Sequence, residues 1–277
     1  MQRIESRHNP RLRELARLIA SSRERRKSRR CVLEGAHLVE VYCDRCGPPE
    51  TLVVVDEFAS HPDVAALIAR VPGARVLAVP RRLFAEIASL PDDVGVLAVV
   101  PVPDPVADPA AQRDAAGAVE RAATACFLLL ENVQDPGNVG TLLRSAAAAG
   151  VDRAVLSSGC AFAWAPRALR AGQGAQFLTR IDEGVDLVAW SARFAGQGGR
   201  IVATQASGGV APWDADLRGC VAIAIGNEGS GLSAELVTCA ALRVTIPMAP
   251  GSESLNAAAA AAVILFERCR QLRSCAG

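Results

Sequence analysis

Three stretches of the chain join an apolar run to a helix through a loop of small and polar residues. The first is ENVQDPGNVGTLLRSAAAAG, Glu131 to Gly150, the second AIGNEGSGLS, Ala224 to Ser233, and the third TIPMAPGSESLNAAAAAAVILFE, Thr245 to Glu267. In the first, Asp135-Pro136-Gly137 is turn chemistry, and Asn138 is placed to cap the helix that follows. Arg144, six residues past that cap, either turns back toward the loop or faces solvent. In the second, Gly226, Gly229 and Gly231 leave backbone N–H and C=O groups open to close approach. In the third, Ser254 and Asn256 stand where a helix built almost wholly of alanine begins; an N-cap is the plain structural reading of Ser254. Gly137 and Gly140 have no third glycine and no phosphate-loop lysine, so neither nucleotide-loop fingerprint is present. Any one of these loops is an ordinary αβ connection. Three of them at strand ends of one sheet point to a single site.

The elements that must position these loops alternate throughout. Leu12, Leu15, Leu18 and Ile19 recur at helical spacing, which predicts a basic amphipathic helix over 10–27. Strands are expected at 31–33, 51–55, 75–79 and 95–100, with helices at 34–43, 62–70 and 80–89 between them: a small α/β domain. Four prolines in the nine residues from Pro101 to Pro109 mark an extended linker. Beyond it, strands are expected at 126–130, 153–156, 200–204, 220–225 and 242–246, and helices at 138–149, 165–171, 186–194, 233–239 and 255–273. The strands lack alternation, so both faces are buried and the sheet is parallel and covered by helices. The predicted division is 1–103, a linker 104–121, and 122–277.

Charge is unevenly placed. Residues 1–30 hold eleven basic and three acidic side chains, in a protein whose net charge is only +1. A basic arm on a mildly acidic body suits a polyanion, RNA or DNA, and RERRKSRR (Arg23 to Arg30) is too dense to read only as a solvated face. The N-terminus has charges at Arg3, Glu5 and Arg7 and no apolar h-region, and no long uncharged apolar window stands outside the alanine helix; the expectation is a cytoplasmic protein with no membrane partner. The nine cysteines are scattered and odd in number, which fits reduced thiols. The one CxxC, Cys43 to Cys46, with Cys31 and His37 upstream, matches no standard zinc spacing, and no metal is expected.

The ordered set NVQDPGNVGTLLRSAAAAG, IGNEGSGLS and IPMAPGSESLNAAAAAA closely resembles the three motifs of the SpoU (TrmH-type) RNA ribose 2′-O-methyltransferases of the SPOUT class. The resemblance is strong over 122–277. The opening IESRHNPRLRELARL…RRCVLEGAHLVE resembles the substrate-binding N-terminal domain of the larger, ribosomal-RNA-type members. It implies an α/β fold whose C-terminal domain is an α/β-knot with a mostly parallel sheet and a deep trefoil knot, threaded through Gly226 to Gly251 and the helix after. The smaller N-terminal α/β domain would be ribosomal-protein-L30e-like. It also implies S-adenosylmethionine as cofactor, bent in the knot on backbone groups, with Gly226, Ile246 and Leu255 as contacts and Asn227 and Met248 beside them. A homodimer through the knot domain is implied too, with the alanine helix at the interface.

On this resemblance the activity is methyl transfer to a ribose 2′-OH of structured RNA, most simply ribosomal RNA of the 23S type. A transfer-RNA 2′-O-methyltransferase, or an inactive RNA-binding or ribosome-assembly protein, is the alternative; a nucleotide-dependent dehydrogenase is disfavoured by the missing glycine fingerprint. The three histidines (His8, His37, His61), the only lysine (Lys27) and the only tyrosine (Tyr42) all precede the linker, so the catalytic half has none of them as general base; Arg144, Glu228, a cysteine or the RNA phosphate remain. Arg144 matches the family's catalytic arginine. A guanidinium keeps its proton at ordinary pH, so its physical role is a bidentate clamp on an RNA phosphate that orients the 2′-OH. Asn138, Glu228, Ser254 and Asn256 match the other polar motif positions. Glu228 would orient Arg144 or take the proton; Ser254 and Asn256 would hold the ribose or brace the loop. RNA contact is expected from Arg23, Arg25, Arg26, Lys27, Arg29 and Arg30 in the arm, and from Arg167 and Arg170. Two departures stand out: SLNAAAA where the family often has SLNVSVA, and Gly172-Gln173 where Ser-Ala is common.

Overall fold

The computed structural model describes residues 1–89, 95–103, 124–251 and 254–274. The predicted linker, 104–121, lies outside them. The chain packs as two compact units: Met1–Pro103 together with Phe162–Leu178, and Asp104–Ala161 together with Thr179–Gly277.

The first unit carries a five-stranded mixed sheet. Its strands are β1 (Gln2–Arg3), β2 (Arg30–Glu34), β3 (Thr51–Val55), β4 (Arg75–Val79) and β5 (Val96–Pro101), in the order β1-β4-β3-β5-β2. β3 and β4 run parallel, and β5 is antiparallel to both β2 and β3. Leu12, Leu15 and Leu18 project from one face of helix Pro10–Ala20 into the core beside Val53, Leu77 and Leu97. The predicted single helix over 10–27 is in fact two, Pro10–Ala20 and Ser22–Ser28. Ser21 is extended and caps the second helix through Glu24 N–H, while its own N–H donates to Arg17 O. Ser-x-x-Glu is a capping signature, so the break was written in the sequence.

That break corrects one expectation about the arm. Arg25 is 4% exposed. Its guanidinium donates to the carbonyls of Leu18 and Ile19 and to Ser22 Oγ, closing the end of the first helix. Burial pulls its pKa below the usual arginine value. It is a helix-end brace and offers no guanidinium to RNA.

The second unit holds a six-stranded, wholly parallel sheet: β6 (Cys126–Leu130), β7 (Arg153–Leu156), β8 (Arg180–Asp182), β9 (Arg200–Thr204), β10 (Val221–Ile225) and β11 (Leu242–Val244), ordered β11-β9-β10-β6-β7-β8. Central β10 and β6 are buried along their length, apart from Phe127, as their unbroken apolar runs require. Helix Ala257–Arg273 lies along helix Pro136–Ala148, turning Ala258, Ala261, Ile264 and Leu265 inward. Arg268 on the same helix is buried and donates to Thr124 O and Gly219 O, the chain ends that lead into β6 and β10. Among the described residues, no helix is long and apolar enough to cross a membrane.

Arg25→Ala is therefore expected to lower stability by about 2–3 kcal/mol, because three acceptors lose a buried charged donor. Chemical unfolding measures this. A loss under about 0.5 kcal/mol would contradict the buried role.

Candidate active site

The carboxyl ends of β9, β10 and β11 open into a cleft of about 640 Å³. Thr204, Gln205 and Ala206 line one side, and the loop from Gly226 to Leu232 lines another. Val244, Ile246 and Met248 follow from β11, and Ser254, Leu255, Asn256, Ala257, Ala260 and Ile264 complete the wall. The lining mixes exposed loop backbone with aliphatic side chains, a surface that suits a flat apolar ring carrying a polar rim.

The three motif loops meet in one chain of side-chain hydrogen bonds. Asn138 Nδ2 donates to Glu228 Oε1 at 2.8 Å, and Asn256 Nδ2 donates to Asn138 Oδ1 at 3.0 Å. Asn256 Oδ1 accepts from Ala258 N–H at 2.9 Å. Asn256, not Ser254, is thus the N-cap of the alanine helix, and Ser254 is an exposed residue of the cleft wall. Asp135, not Asn138, caps helix Pro136–Ala148, accepting from Asn138 N–H at 2.9 Å. A capping Asn138 would spend its Oδ1 on its own helix and lose the bond from Asn256. With Asp135 in that place, the amide is free to bridge the other two motifs.

The middle loop is held in a fixed shape. Asn227 Oδ1 accepts from the N–H groups of Gly229 and Ser230, and its Nδ2 donates to Asn132 O at 2.8 Å. Asn227 and Gly231 exchange backbone hydrogen bonds across the turn. A Cβ on Gly226 would sit 2.2 Å from Gly231 C and 2.3 Å from Leu232 N. The backbone crosses itself there, so only glycine fits.

Two residues given no role by the sequence reading hold this loop from beneath. Glu131 is buried, and its two carboxylate oxygens accept from Ser233 N–H and Ser233 Oγ–H, each at 2.7 Å. Asn132 sits at φ +55, a left-handed conformation, and turns its carbonyl to Asn227. An acid closing the buried run CFLLL was the available signal for Glu131, and asparagine's tolerance of positive φ was the signal for Asn132.

Glu228 has a lowered pKa. Partial desolvation pushes it up, but hydrogen bonds from Asn138 and from the backbone N–H groups of Glu228, Gln134 and Asp135 outweigh this. The carboxylate is therefore ionised at neutral pH. It trades basicity for its hold on Asn138.

The other expected residues divide clearly. Gly226, Asn227, Glu228, Ile246, Met248, Ser254, Leu255 and Asn256 all line the cleft, and Asn138 is bonded to two of them. Arg144 lies on the exposed side of helix Pro136–Ala148, outside the cleft lining, with no hydrogen bond or ion pair among the described residues. Glu228 orients Asn138 and not Arg144. In the first unit, Arg23, Arg26, Lys27 and Arg29 are exposed; Arg30 is paired with Glu14 and Glu50. Arg167 and Arg170 are exposed on helix Pro166–Gly172. Among the described residues no group of histidines, cysteines and acids is arranged to hold a metal ion.

The model of the SpoU rRNA Methylase family matches residues 125–266, and that of an MRM3-like substrate binding domain matches residues 9–98. The 23S rRNA (guanosine(2553)-2'-O)-methyltransferase RlmP of Bacillus subtilis is 29% identical over 96% of this chain and 98% of its own. An uncharacterized tRNA/rRNA methyltransferase of Mycolicibacterium vanbaalenii is 34% identical over 84% and 74%. Several other curated relatives are matched over only about half their length, between 44% and 53%. Among solved structures, the SpoU methyltransferase AviRb from Streptomyces viridochromogenes, in complex with its cofactor AdoMet, superposes with a TM-score of 0.83 at 25% identity over 96% of this chain and 99% of that one.

Two measurements test the site's geometry. Gly226→Ala is expected to cost at least about 2 kcal/mol in chemical unfolding, since backbone must move to admit the methyl. Because the folded pKa of Glu228 is lowered, its contribution to stability is present above the unfolded value and is lost as pH falls through the folded one. Side-chain amide NMR of Asn138 is thus expected to titrate with a midpoint below an ordinary glutamate's. A midpoint at or above that value would contradict the assignment.

Proposed function

The chain belongs to the SpoU rRNA methylase family, and from that premise we propose that it transfers a methyl group from S-adenosylmethionine to a ribose 2′-OH of structured RNA, the substrate being ribosomal RNA of the large subunit. The observation that carries this reading is the Glu228–Asn138–Asn256 chain at the mouth of the cleft, which joins all three motifs. Similarity to RlmP along nearly the whole chain supports the substrate class, and the AdoMet complex of AviRb supports the cofactor.

The residues present fit that cofactor. The cleft has room for a nucleoside with an amino-acid tail, apolar walls from Ile246, Leu255 and Ile264, and a loop packed too closely for any side chain at Gly226. S-adenosylmethionine, when bound, supplies an electrophilic methyl on a sulfonium leaving group. The chain's own task is then to orient the ribose and its hydroxyl. Ionised Glu228 fixes Asn138, Asn138 fixes Asn256, and these hold the wall that carries Ser254 and Leu255. Arg144 takes an RNA phosphate from its exposed position on helix Pro136–Ala148, in a bidentate grip that places the 2′-OH and eases its deprotonation.

The catalytic domain runs over residues 122–277, and Gly226–Gly251 with the final helix forms a deep trefoil knot; membership of the SpoU family supports it. The first unit is an L30e-like substrate-binding domain that includes the basic arm. The protein works as a homodimer in the cytoplasm, with exposed Val263 and Phe266 on the alanine helix supporting the interface.

Labelled methyl transfer, run separately on unmodified large-subunit, small-subunit and transfer RNA, tests the proposal. Label is expected in the large-subunit fraction as a 2′-O-methylnucleoside; label confined to transfer RNA would overturn the substrate. Arg144→Ala is expected to lower transfer by roughly 10²-fold or more, the scale of losing one well-placed charged donor, with cofactor affinity unchanged. Full activity in that variant would remove Arg144 from the mechanism. In thermal unfolding, S-adenosylmethionine at about a hundredfold its Kd should add ~2.7 kcal/mol of stability, and NAD none.

A further inference from the structure

Phe162–Leu178 lies in the chain between β7 and β8, yet it packs as part of the first unit. It is built into that unit's interior. Phe177 meets Tyr42 edge-on, with ring centroids 5.1 Å apart, and Trp164 packs on Phe177 at 5.7 Å. Gln176 is buried and donates to Ala163 O and Ala168 O. Gly174, at φ +85, brings backbone so near Val41 that a Cβ would stand 2.6 Å from it.

The segment's helix, Pro166–Gly172, covers β2, an edge strand of the first unit's sheet. An uncovered edge invites pairing with other chains, so a covering helix has a structural use. It also has a consequence for charge. Helix Ser22–Ser28 runs directly into β2, so two basic helices flank the same strand. One exposes Arg23, Arg26 and Lys27; the other exposes Arg170. From Phe162 to Leu178 there is no acidic residue. The two are joined by an aromatic contact: the Arg26 guanidinium lies 4.2 Å from the centroid of buried Phe162. A guanidinium held on a ring face keeps its donor edge outward and in a fixed plane, ready for a phosphate.

We propose that these two helices form one phosphate-binding surface for the RNA backbone, in which Phe162 is a positioning residue that fixes Arg26. The inference rests on the RNA reading above and deepens it: a segment from the catalytic half of the sequence supplies part of the substrate-binding unit's grip.

The test is equilibrium binding of an unmodified large-subunit ribosomal RNA transcript by the full-length protein, without cofactor, across a salt series. Arg26→Gln and Arg170→Gln are each expected to weaken binding about three- to tenfold at low salt. Each should also flatten the dependence of log K on log salt by roughly 0.7–0.9, the value of one phosphate contact. Phe162→Leu should weaken binding as much as Arg26→Gln, and the double variant should lose nothing more. Arg193→Gln, on helix Leu187–Gly196, should bind like wild type. If Phe162→Leu lowers the melting temperature appreciably, the two arginine variants alone decide. Unchanged affinity and slope in Arg170→Gln would overturn the proposal, as would a loss with no change in slope. Wild type that transfers methyl while the charge variants bind normally would sink the surface alone. Charge variants that bind weakly while wild type transfers no methyl would leave the surface standing and sink the enzymatic reading.

Discussion

The site depends on what one primary amide does. An asparagine side chain has a carbonyl oxygen and an NH₂ group, and Asn138 uses one of each to reach two segments far away in sequence, Glu228 and Asn256. The orientation of that amide is set at both ends, since Glu228 is ionised and can only accept, and Asn256 Oδ1 is already committed to its own helix N-terminus. Each link therefore admits one polarity. Asp135 makes the arrangement possible by taking the capping role next door. Had the cap fallen on Asn138, the three loops would have met without a common fastening.

Around this amide, the loop Gly226–Ser233 is fixed by a second set of contacts. Glu131 holds its far end through Ser233, Asn227 curls its middle, and Gly226 allows the backbone to close on itself. A buried carboxylate is costly in isolation, and Glu131 persists because Ser233 satisfies both of its oxygens. The alanine helix belongs to the same economy of space. Ala258 and Ala261 face inward where helix Ala257–Arg273 lies along helix Pro136–Ala148, and small side chains let the two approach while Asn256 stays within reach of Asn138. Arg268 ties the other end of that helix to the strand starts.

Much of this was legible in the sequence. β3, β4, β6, β7 and β9 fall on the residues that their apolar runs predicted, because a strand buried on both faces is bounded wherever polarity resumes. β1 and β8 were missed: Gln2–Arg3 and Arg180–Asp182 are short, polar edge strands with no period to read. β11 ends at Val244 and not at Ile246, since Thr245 turns its hydroxyl to Gly209 N–H and Ile246 enters the cleft wall. Spacing identified the motif residues but not their pairings. Glu228 was expected near Arg144, and the capping roles of Asn138 and Ser254 belong instead to Asp135 and Asn256. The caps differ from those positions by three residues and by two, a shift at helix ends that periodicity does not resolve. The burial of Arg25 was hidden for a similar reason: in a run of six basic residues among eight positions, only the break at Ser21 selects which one turns inward.

The composition of the catalytic half explains why its polar residues are so firmly bound to one another. It has no histidine, lysine or tyrosine, and its carboxylate at the cleft, Glu228, is held below the ordinary range by the hydrogen bonds that make it useful as an anchor. A group stabilised in its charged form is a weak base, so strengthening the Asn138 bond and accepting a proton at Glu228 are opposed demands on the same oxygen atoms. The geometry favours the anchor. Catalysis on such a surface comes from position: a hydroxyl placed in line with its electrophile gains rate from the orientation already established in the folded site. The hydrogen-bonded placement of Glu228, Asn138 and Asn256 is then what these side chains bring to the cleft, while Arg144 stands exposed on helix Pro136–Ala148, outside the cleft lining.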